Sequence, residues 1–414
     1  WNWTYVFTRI GTAWTQQAVL MVDSKSVSIS GDTIIIGDGY NNGSAYVFTR
    51  SGSSWTQQAK LTASDAAAND YFGESVSIQG DIAIVGANGD DVGALTDSGS
   101  AYVFTRSGAS WNQQAKLTAA DAATNDGFGH SVSVSGNTVV VGADGDDTGD
   151  LVDAGSAYVF VQNGTAWIQQ AKLTSSTADN WVQFGCSVAL SGDTAIVGAY
   201  KDWDRGFHSG SAQVFMRNGS TWTEQAKLLA ADGAASDYFG CSVSISGNIV
   251  TIGANHNDNP GMDLGAVYAF TRTGSTWTQQ QKMTALLDAA ADDRFGYSVS
   301  VSQDTAIIGA VYDDARGWVD SGSAYVYTRN GSKWIQQAEL AASDAAAGDL
   351  FGVSVSVSGD TAVVGASANS EAGDHSGSAY VFVRNGLTWT QQAKLTASDA
   401  AKGDSFGYSV SVAG

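Results

Sequence analysis

The stretch "DGDDTGDLVD", residues 144–153, has side chains that a hard cation could bind. Calcium takes about six to eight oxygen ligands, and the spacing around the central Gly149 is close to that of a calcium-binding loop. Aspartate and glycine are also the ordinary residues of solvated turns, so a turn is the favoured interpretation and Ca²⁺ the alternative. The candidate metal ligands are Asp144, Asp146, Asp147, Asp150 and Asp153.

A second candidate site is aromatic and lies around the stretch "AYKDWDRGFHSGS". Exposed aromatic rings can stack on sugars or anchor a side chain of a protein partner. The favoured interpretation is that these rings fold back onto the protein, and ligand binding is the alternative. The candidate residues are Trp181, Tyr200, Trp203, Arg205, Phe207 and His208, with Trp318 as a weaker copy further along the chain.

The histidines give no sign of catalysis. His130, His208, His256 and His375 are scattered along the chain, with no acid and nucleophile at a recognisable spacing. We therefore expect a protein that is not an enzyme. An enzyme with its site in a central channel is the third hypothesis, behind two kinds of binding protein.

The two cysteines lie at the same position of consecutive repeats. Cys186 and Cys241 each follow a Phe-Gly pair directly. A disulfide needs Cα atoms within about 7 Å of each other, which the sequence alone does not establish. Two buried thiols are the favoured interpretation, and a disulfide between them is the alternative.

Five sequons for N-glycosylation are present in the chain. Three of them lie at the hairpin between the third and fourth strands, where Asn-Gly is also simply the preferred pair of a tight turn. Glycans are expected there only if the protein is secreted by a eukaryote. The candidate acceptors are Asn2, Asn42, Asn163, Asn218 and Asn330.

The charge of the chain limits its partners. It carries 41 acidic and 20 basic residues, a formal net charge of −21. Nucleic acids and anionic membranes would be repelled by this charge, so neither is expected as a partner. The sequence also has no apolar run of about 18 residues, so direct membrane insertion is not expected.

Strand signals recur in one order, roughly every 56 residues, as the spacing of Phe72, Phe128 and Phe184 shows. Each unit has an alternating segment ("SVSVSG"), an apolar run ("TVVVGA"), an aromatic run ("SAYVFV") and a fourth segment ("WIQQAKL"). Short glycine-containing turns suit antiparallel hairpins between them. Four antiparallel strands repeated at this period predict an all-β propeller, with tryptophans such as Trp111 and Trp167 filling the gaps between blades.

The number of blades depends on how the two ends of the chain combine. Seven complete repeats over residues 21–406 lie between an outer hairpin at residues 1–20 and a lone first strand at residues 407–414. We expect one domain over residues 1–414, most simply eight-bladed with one blade split between the termini; seven blades are the alternative. We also expect the natural chain to run past Gly414, as part of a larger chain or assembly.

The repeated pattern "FGxSVxxxGDTAxxGA" followed by "GSAYVF" resembles the FG-GAP repeat family, which includes the propeller of integrin α subunits. The resemblance covers essentially the whole chain and implies a β-propeller with a ligand-binding loop face. Two features depart from the family. The proline after "GA" is replaced, and the turn between the first and second strands is too short for the integrin-type calcium loop. Integrin propellers also have seven blades.

The long segments of each unit suggest where a partner binds. The loop between the second and third strands and the connector to the next blade are rich in aspartate and are expected on one face. Recurring pairs such as Asp121 and Asp126 are expected to brace the connector through Asx-type hydrogen bonds. We expect an extracellular or cell-surface, non-enzymatic adhesion or assembly module that presents this acidic loop face to a protein. The alternative is glycan binding by the blade that contains Trp181 and Trp203.

Overall fold

The computed structural model describes residues 4–11, 13–20, 22, 24–40, 43–258, 262–285 and 290–413. The chain forms two compact units. One is Ser24–Leu229, and the other combines Trp1–Asp23 with Ala230–Gly414. Within the described ranges, no helix has the length and apolar character that crossing a membrane requires.

Strands account for nearly all of the regular structure and are numbered here in chain order. The strands up to residue 228 are β1 (Thr4–Ile10), β2 (Ala13–Leu20), β3 (Ser26–Ser30), β4 (Thr33–Gly37), β5 (Ala45–Ser51), β6 (Ser54–Leu61), β7 (Val76–Gln79), β8 (Ile82–Ala87), β9 (Ser100–Ser107), β10 (Ser110–Leu117), β11 (Ser131–Ser135), β12 (Thr138–Ala143), β13 (Ser156–Asn163), β14 (Ala166–Leu173), β15 (Ser187–Ser191), β16 (Thr194–Ala199), β17 (Ser211–Asn218) and β18 (Thr221–Leu228).

The remaining strands belong to the second unit, which also contains a short 3-10 turn at Ala315–Gly317. They are β19 (Val243–Ser246), β20 (Ile249–Ala254), β21 (Ala266–Thr273), β22 (Thr276–Met283), β23 (Phe295–Ser302), β24 (Thr305–Ala310), β25 (Ser323–Asn330), β26 (Lys333–Leu340), β27 (Phe351–Ser358), β28 (Thr361–Ala366), β29 (Ser378–Asn385) and β30 (Thr388–Leu395).

These strands form four-stranded antiparallel sheets in which chain neighbours are sheet neighbours. Ser24–Leu229 contains the sheets β3–β6, β7–β10, β11–β14 and β15–β18. The other unit contains β19–β22, β23–β26 and β27–β30, together with the two-stranded sheet β1–β2. The prediction of an all-β propeller is thereby confirmed. The described residues form seven four-stranded blades, as the seven-bladed alternative has it, because residues 409–413 form no strand.

The second strand of each blade is apolar because it lies between two other strands and is covered on both faces. In β12 every residue from Thr138 to Ala143 is buried, and its register pairs Val140 with Val159 of β13. Burying one such side chain fully stabilises the fold by about 1.5 to 3 kcal/mol relative to exposure. The continuous apolar run in the sequence therefore marks the centre of the sheet.

The phenylalanine of each Phe-Gly pair lies in the core between consecutive blades. Phe128 is fully buried, and its ring centroid lies 5.3 Å from that of Tyr158 and 6.0 Å from that of Phe160. The same apolar cluster joins Ile84 of β8 to Val141 of β12. Stacking of one blade on the next thus buries the faces that a single sheet would leave in water.

The glycines of the repeated "FG" and "GA" pairs are required by close backbone packing. Gly129 has a φ of +102°, and a Cβ atom there would lie 2.3 Å from the Ser100 carbonyl oxygen. A Cβ atom on Gly142 of β12 would lie 2.0 Å from the carbonyl oxygen of Gly185, in the following blade. A larger residue at either position would therefore force neighbouring backbones apart.

Tryptophans of the fourth strands join neighbouring blades, as the sequence predicts. Trp167 Nε1 donates a hydrogen bond to Gln114 Oε1 at 2.8 Å, and Trp111 Nε1 donates to Gln58 Oε1 at 2.7 Å. Because the indole is amphipathic, it contributes apolar area and one oriented hydrogen bond to the same contact.

Candidate functional site

The loop end of sheet β11–β14 holds a network of two carboxylates, a tyrosine and a lysine, in which Asp146 and Tyr158 are buried and Asp121 lies at the surface. Asp146, which is 2% exposed, accepts a hydrogen bond from Ser156 Oγ at 2.5 Å. The hydroxyl of Tyr158 lies 3.0 Å from carboxylate oxygens of both Asp146 and Asp121. Lys172 Nζ lies 2.8 Å from Asp146 and 2.7 Å from Asp121. The carboxylates of this loop and connector are therefore bound by donors of their own blade.

Electrostatics favour the ionised form of Asp121 and the protonated forms of Lys172 and Tyr158. Burial opposes ionisation of Asp121, but hydrogen bonding to Lys172 holds its pKa below the usual value. Burial also opposes the charge of Lys172, yet its hydrogen bonds with the two carboxylates hold its pKa above the usual value. Burial and the charges of Asp146 and Asp121 raise the pKa of Tyr158, so its hydroxyl remains a donor.

Other blades repeat the arrangement with one informative substitution. In β7–β10 the lysine Lys116 lies 2.7 Å from the buried Asp90. In β27–β30 the equivalent residue is Asn369, whose Nδ2 donates to Asp349 at 2.9 Å while its Oδ1 accepts from Lys394 at 3.3 Å. The asparagine can donate to the connector, which the aspartate cannot do when it is ionised.

The second aspartate caps the turn in most connectors, as the sequence predicts. Asp126 Oδ2 accepts a hydrogen bond from the Ala123 backbone N–H at 2.6 Å, and the residue is 1% exposed. Burial raises the pKa of Asp126 to about 6; the Ala123 N–H works against this shift, and the charge of Asp146 adds to it. The negative charge of Asp146 thus acts on Asp126, and Asp126 is the carboxylate that is protonated more readily than usual.

Sheet β15–β18 departs from this arrangement, and we call it the irregular blade and β11–β14 the regular blade. The positions of Asp121, Asp126 and Tyr158 hold different residues: Thr177, Val182 and Gln213. Gln213 is fully buried, and its Nε2 donates to Ser175 Oγ at 3.0 Å. Lys227 is retained and lies 2.6 Å from each of Asp202 and Asp204.

The connector of the irregular blade exposes Trp181 in an unusual backbone conformation. Trp181 has a φ of +65° and is 52% exposed. The left-handed region is unfavourable for a bulky residue, whereas glycine and asparagine tolerate it. The other blades place small or polar residues at this position, all with positive φ: Asn69, Asn125, Ser236, Asp292, Gly348 and Gly403.

The loop between β16 and β17 carries a group of stacked rings that we call the aromatic patch: Trp203, Phe207 and His208. The Phe207 and His208 rings are stacked with centroids 3.7 Å apart, and Trp203 lies 5.2 Å from Phe207. Trp203 is 43% exposed and Phe207 is 55% exposed. Burial and the charge of Lys201 lower the pKa of His208, which favours its neutral form. Three of the predicted aromatic candidates therefore pack on one another, and their role in binding stays a prediction.

Trp203 replaces a residue that stabilises the loop in other blades. At the same position in the regular blade, Asp147 Oδ1 accepts a hydrogen bond from the Asp153 backbone N–H at 2.9 Å. Asp91 does the same for Asp97 at 2.9 Å. An indole has no acceptor for such a bond, so the irregular loop exchanges a capping interaction for an exposed ring.

The remaining candidates in the irregular blade surround these rings. Tyr200 OH donates to Gln183 Oε1 at 2.6 Å, which ties the loop to the connector of the same blade. Lys201 lies over the Tyr200 ring at 5.3 Å, and Arg205 is exposed with its backbone N–H donating to Ser209 Oγ. Two cationic side chains therefore border the aromatic patch in a strongly acidic protein.

The sequence pattern of one repeat family matches most of the chain. The FG-GAP repeat is found at residues 55–104, 111–160, 167–215, 222–270, 277–327, 334–382 and 389–414. These matches cover more than half of the sequence. Each begins in the fourth strand of one blade, and all but the last end in the third strand of the next blade. The chain belongs to the FG-GAP repeat family. No curated protein sequence matches it significantly.

Two solved structures share the fold of this FG-GAP chain. Sqt1 from Saccharomyces cerevisiae is similar with a TM-score of 0.54 and 13% identity, over 92% of this chain and 87% of that one. Sqt1 from Chaetomium thermophilum, bound to the N-terminus of the ribosomal protein L10, has a TM-score of 0.55 and 12% identity, over 91% and 89%. At this level of identity the likeness extends to the fold.

In the predicted calcium loop of this FG-GAP chain, carboxylate oxygens of two aspartates already accept hydrogen bonds from the protein itself. Asp146 does not fit as a metal ligand, because Lys172 and two hydroxyl donors surround its carboxylate. Asp147 caps the Asp153 backbone N–H. Across the described ranges, no three His, Cys, Asp or Glu side chains group as a metal site would need. Calcium binding at this loop stays a prediction.

The other two members of the predicted metal set are less constrained. Asp144 is partly exposed, and its carboxylate lies 3.7 Å from His130 Nδ1. Asp150 is exposed at the tip of the loop. Trp318, the weaker aromatic candidate, is 53% exposed but belongs to the other compact unit.

Three of the sequons lie where the sequence indicates. Asn163, Asn218 and Asn330 are exposed and end the third strands β13, β17 and β25. Asn2 and Asn42 lie outside the described residues. Glycosylation of these FG-GAP hairpin turns stays a prediction.

Cys186 and Cys241 are both free thiols, so the alternative of a disulfide is not realised in the structure. Each is partly exposed, whereas the sequence favoured buried thiols. The Cys241 sulfur lies 3.9 Å from the Gly296 carbonyl oxygen, and desolvation raises the pKa of its thiol.

The sequence interpretation missed the partners of the aspartates. Lys172 and its equivalents complete the buried network, and the signal was the lysine of the recurring "QQAKL" segment. It also missed a pair at the opposite end of the sheets, where Arg384 Nε donates to Asp360 Oδ1 at 2.7 Å. The recurring "GD" turn and the arginine near the end of most aromatic strands carried that signal.

Proposed function

We propose that this FG-GAP propeller is a non-enzymatic module that binds a protein partner through the aromatic patch and Trp181. The observation that carries the proposal is a local exchange in the irregular blade. Trp203 stands where other loops have a capping aspartate, and Trp181 stands where other connectors have residues suited to positive φ. Each exchange gives up local stability and gains an exposed indole, which is expected where a surface serves binding.

The chemistry of these residues suits a protein interface. Tryptophan and arginine are enriched among the residues that dominate binding energy at such interfaces. Trp203 and Phe207 pack on each other, so little side-chain freedom remains for a partner to restrict. The net charge of −21 favours approach of a basic partner at low salt.

The aspartates of the acidic loops contribute less to the proposed binding surface than their number suggests. In the regular blade, Asp146 and Asp121 are bound to Lys172 and Tyr158, and Asp126 is buried in its turn. These carboxylates support the loops from within. The adhesion or assembly role proposed for the loop face therefore depends mainly on the rings that the irregular blade exposes.

The fold is compatible with holding a polypeptide segment. A structure of similar fold, Sqt1 from Chaetomium thermophilum, is bound to the N-terminus of the ribosomal protein L10. At 12% identity this supports the proposal only through the shared fold, and it does not identify the partner of this chain.

Site-specific photocrosslinking tests the proposed surface. A photoreactive phenylalanine replaces Phe207 in one variant and Leu387 in another; Leu387 is 81% exposed at the hairpin end of β30. In extracts of the source organism, we expect a protein crosslinked from position 207 and not from position 387. Trp203→Asp should abolish that crosslink, since aspartate is the loop-compatible residue of other blades. Equal crosslinking from both positions, or none from 207, would contradict the proposal.

Glycan binding is the second candidate, because exposed Trp181 and Trp203 could stack on sugar rings. A glycan array with the wild-type chain and Trp203→Ala separates the two candidates. Specific glycan binding that Trp203→Ala removes would favour the lectin function. An array without specific binding, together with the expected crosslink, would favour the protein partner.

We also propose an extracellular or cell-surface location, as part of a larger assembly. The resemblance to integrin propellers and the exposed Asn163, Asn218 and Asn330 support this placement. Intact-mass and peptide mass spectrometry of the native protein tests the glycoprotein component. Glycans on these hairpin turns would support it, and unmodified asparagines at all three would contradict it.

A further inference from the structure

Sheet β19–β22 brings a lysine, an asparagine and an aspartate into contact at its loop end. Lys282 Nζ, on β22, donates a hydrogen bond to Asn257 Oδ1, in the loop between β20 and β21, at 2.7 Å. Asn257 Nδ2 donates in turn to Asp237 Oδ2, in the connector before β19, at 2.8 Å. One side-chain amide is therefore held between an amine and a carboxyl group.

This group of three side chains is enclosed by the blade. Asn257 and Asp237 are fully buried, and the Lys282 side chain is 20% exposed. Lys282 Nζ lies 5.8 Å from the centroid of the buried Tyr268 ring, which packs against the buried Phe239 ring. Because Asn257 is fully buried, water has little access to its amide carbon, whereas the lysine nitrogen is already in contact with the amide.

Asp237 is suited to transferring a proton to this amide. Its Oδ2 accepts hydrogen bonds from the Ala234 backbone N–H and from Asn257 Nδ2, each at 2.8 Å. Its Oδ1 is buried and has no hydrogen-bond partner among the described residues, so this oxygen can carry a proton. Burial raises the pKa of Asp237, and the hydrogen bonds from Ala234 and Asn257 oppose that shift. A buried carboxyl of this kind can act as a general acid.

The equivalent lysines of two other blades are placed differently. In β11–β14, Lys172 contacts the carboxylate of Asp146 at 2.8 Å instead of an amide. An ionised carboxylate is a poor target for an amine, because its negative charge repels the electron pair of the nitrogen. In β27–β30, Lys394 lies 3.3 Å from Asn369 Oδ1 and also binds Glu371. Of these three lysines, Lys282 has the closest contact with an amide.

We propose that Lys282 and Asn257 become joined by an intramolecular isopeptide bond, with Asp237 as the catalytic residue. The bond links Nζ of the lysine to Cγ of the asparagine and releases ammonia. All the atoms that react belong to the chain, so the step requires no oxidant, metal or other co-reactant. It is a modification of the folded protein and does not depend on the proposed binding surface.

Each proton of the reaction has a place in this geometry. Asp232, whose carboxylate lies 2.7 Å from Lys282 Nζ, takes one proton from the ammonium group. The nitrogen electron pair then forms the bond to Asn257 Cγ, and negative charge moves to Oδ1. Asp237 gives a proton to Nδ2, the Cγ–Nδ2 bond breaks and the carbonyl group re-forms. Asp237 regains a proton from Nζ, and the departing ammonia takes the proton held by Asp232 and leaves as ammonium.

The bond would fix the outer strand of this blade to its loop. Residues 257 and 282 are 25 positions apart, so the crosslink closes a loop that restricts the unfolded chain, as a disulfide does. Cys186 and Cys241 are free thiols and supply no such crosslink. The modification would therefore give β19–β22 a covalent connection that does not depend on redox conditions.

Mass spectrometry of the full 414-residue chain tests the proposal. We expect most chains to have an intact mass lower than that of the sequence by about 17 Da, the mass of one ammonia. Trypsin should fail to cleave after Lys282. The digest should then contain residues 228–272 linked to residues 273–294, with fragment ions that place the link between Asn257 and Lys282.

Three variants separate the roles of these residues. Lys282→Arg keeps a positive charge beside Asp232 but removes the nucleophile, so it should fold cooperatively and show the unreduced mass. Asp237→Asn keeps an oxygen that can accept the Ala234 N–H but has no carboxyl proton, and should lower the crosslinked fraction at least about tenfold. Lys394→Arg, at the equivalent position of β27–β30, is the matched control and should leave the crosslink unchanged.

Three results would overturn these assignments. An unreduced intact mass of the unmodified chain, with normal cleavage after Lys282, would exclude the bond. A mass increase of about 1 Da at Asn257 without a crosslink would also exclude it, because the amide would then have reacted with water. An equal crosslinked fraction in Asp237→Asn would exclude Asp237 as the catalytic residue.

Discussion

The regular blade β11–β14 and the irregular blade β15–β18 have the same strands but use their loops differently. In the regular blade, Asp146, Tyr158 and Lys172 form a closed network below the surface. In the irregular blade the tyrosine position holds the buried Gln213, and the loop and connector expose Trp203 and Trp181. The scaffold is shared, and of these two blades the irregular one presents large aromatic groups at this end.

This difference separates structural repetition from function. A residue that recurs in many blades, such as the aspartate that caps the connector turn, stabilises a structure that those blades share. A residue that breaks the pattern at a local energetic cost requires another explanation, and partner binding supplies one for Trp181 and Trp203. Each prediction below concerns a residue of the regular blade or of the irregular blade.

The largest effect is expected from breaking the network of the regular blade. Asp146→Ala removes the carboxylate that binds Lys172, Tyr158 and Ser156, and leaves the lysine without its buried partner. We expect the free energy of unfolding to fall by about 3 to 5 kcal/mol, measured by urea denaturation. Asp150→Ala, at an exposed position of the same loop, is the control and should change it little. Equal effects of the two substitutions would contradict a structural role for the network.

A smaller effect is expected on the pH dependence of stability. Asp126 has its pKa raised to about 6, so the folded state binds a proton more tightly than the unfolded chain does. Its contribution to stability is therefore complete below the unfolded pKa near 4 and is lost as pH rises through about 6. The loss is on the order of 2 kcal/mol.

Asp126→Asn isolates this titration. The asparagine oxygen can still accept the Ala123 N–H, but the side chain has no proton to lose. Between pH 4 and 7, the wild-type chain should lose more stability than Asp126→Asn in urea denaturation at each pH. The irregular blade has Val182 at this position and makes no such contribution. An unchanged pH profile in the variant would rule out Asp126 as the titrating group.

The tyrosine hydroxyl of the regular blade is absent from the irregular blade, which has Gln213 at that position. Tyr158→Phe keeps the ring against Phe128 and removes the hydroxyl that lies 3.0 Å from Asp121 and Asp146. We expect a loss of about 1 to 2 kcal/mol in the free energy of unfolding. Tyr71→Phe, at a 40% exposed ring, is the control. A loss no larger than that of the control would show that the hydroxyl contributes nothing.

The smallest effect, and the only stabilising one, is expected at the connector. Trp181→Asn places a residue that tolerates positive φ where the tryptophan has a φ of +65°. We expect the free energy of unfolding to rise by about 1 kcal/mol. The reciprocal Asn125→Trp should lower the stability of the regular blade by a similar amount.

A third substitution at the connector separates strain from packing. Trp181→Ala removes the ring but keeps a Cβ atom at positive φ, so it should not stabilise the chain as asparagine does. If alanine and asparagine stabilised it equally, an unfavourable contact of the ring, rather than the backbone conformation, would be the cause.

The fold was predictable because its causes are local and repeated. Phe-Gly pairs, alternating strands, apolar second strands and tight glycine turns occur in one order. Each of these patterns predicts a particular local backbone structure. The aromatic candidates were predictable as departures from that order. The number of complete blades was not, because it depends on whether residues 409–413 gain a strand partner, which the local sequence does not determine.

The sequence by itself determined the blade, its period and the loops in which carboxylates and aromatic rings occur, since these follow from residue type and spacing along the chain. Only the tertiary structure decided what those side chains do. Lys172 is 26 residues from Asp146 in the chain, and packing of strands against a connector brings them together. The same packing buries some of the aspartates, such as Asp126 and Asp146, and leaves Trp203 and Phe207 at the surface, because exposure and partnership depend on neighbours that are distant in sequence.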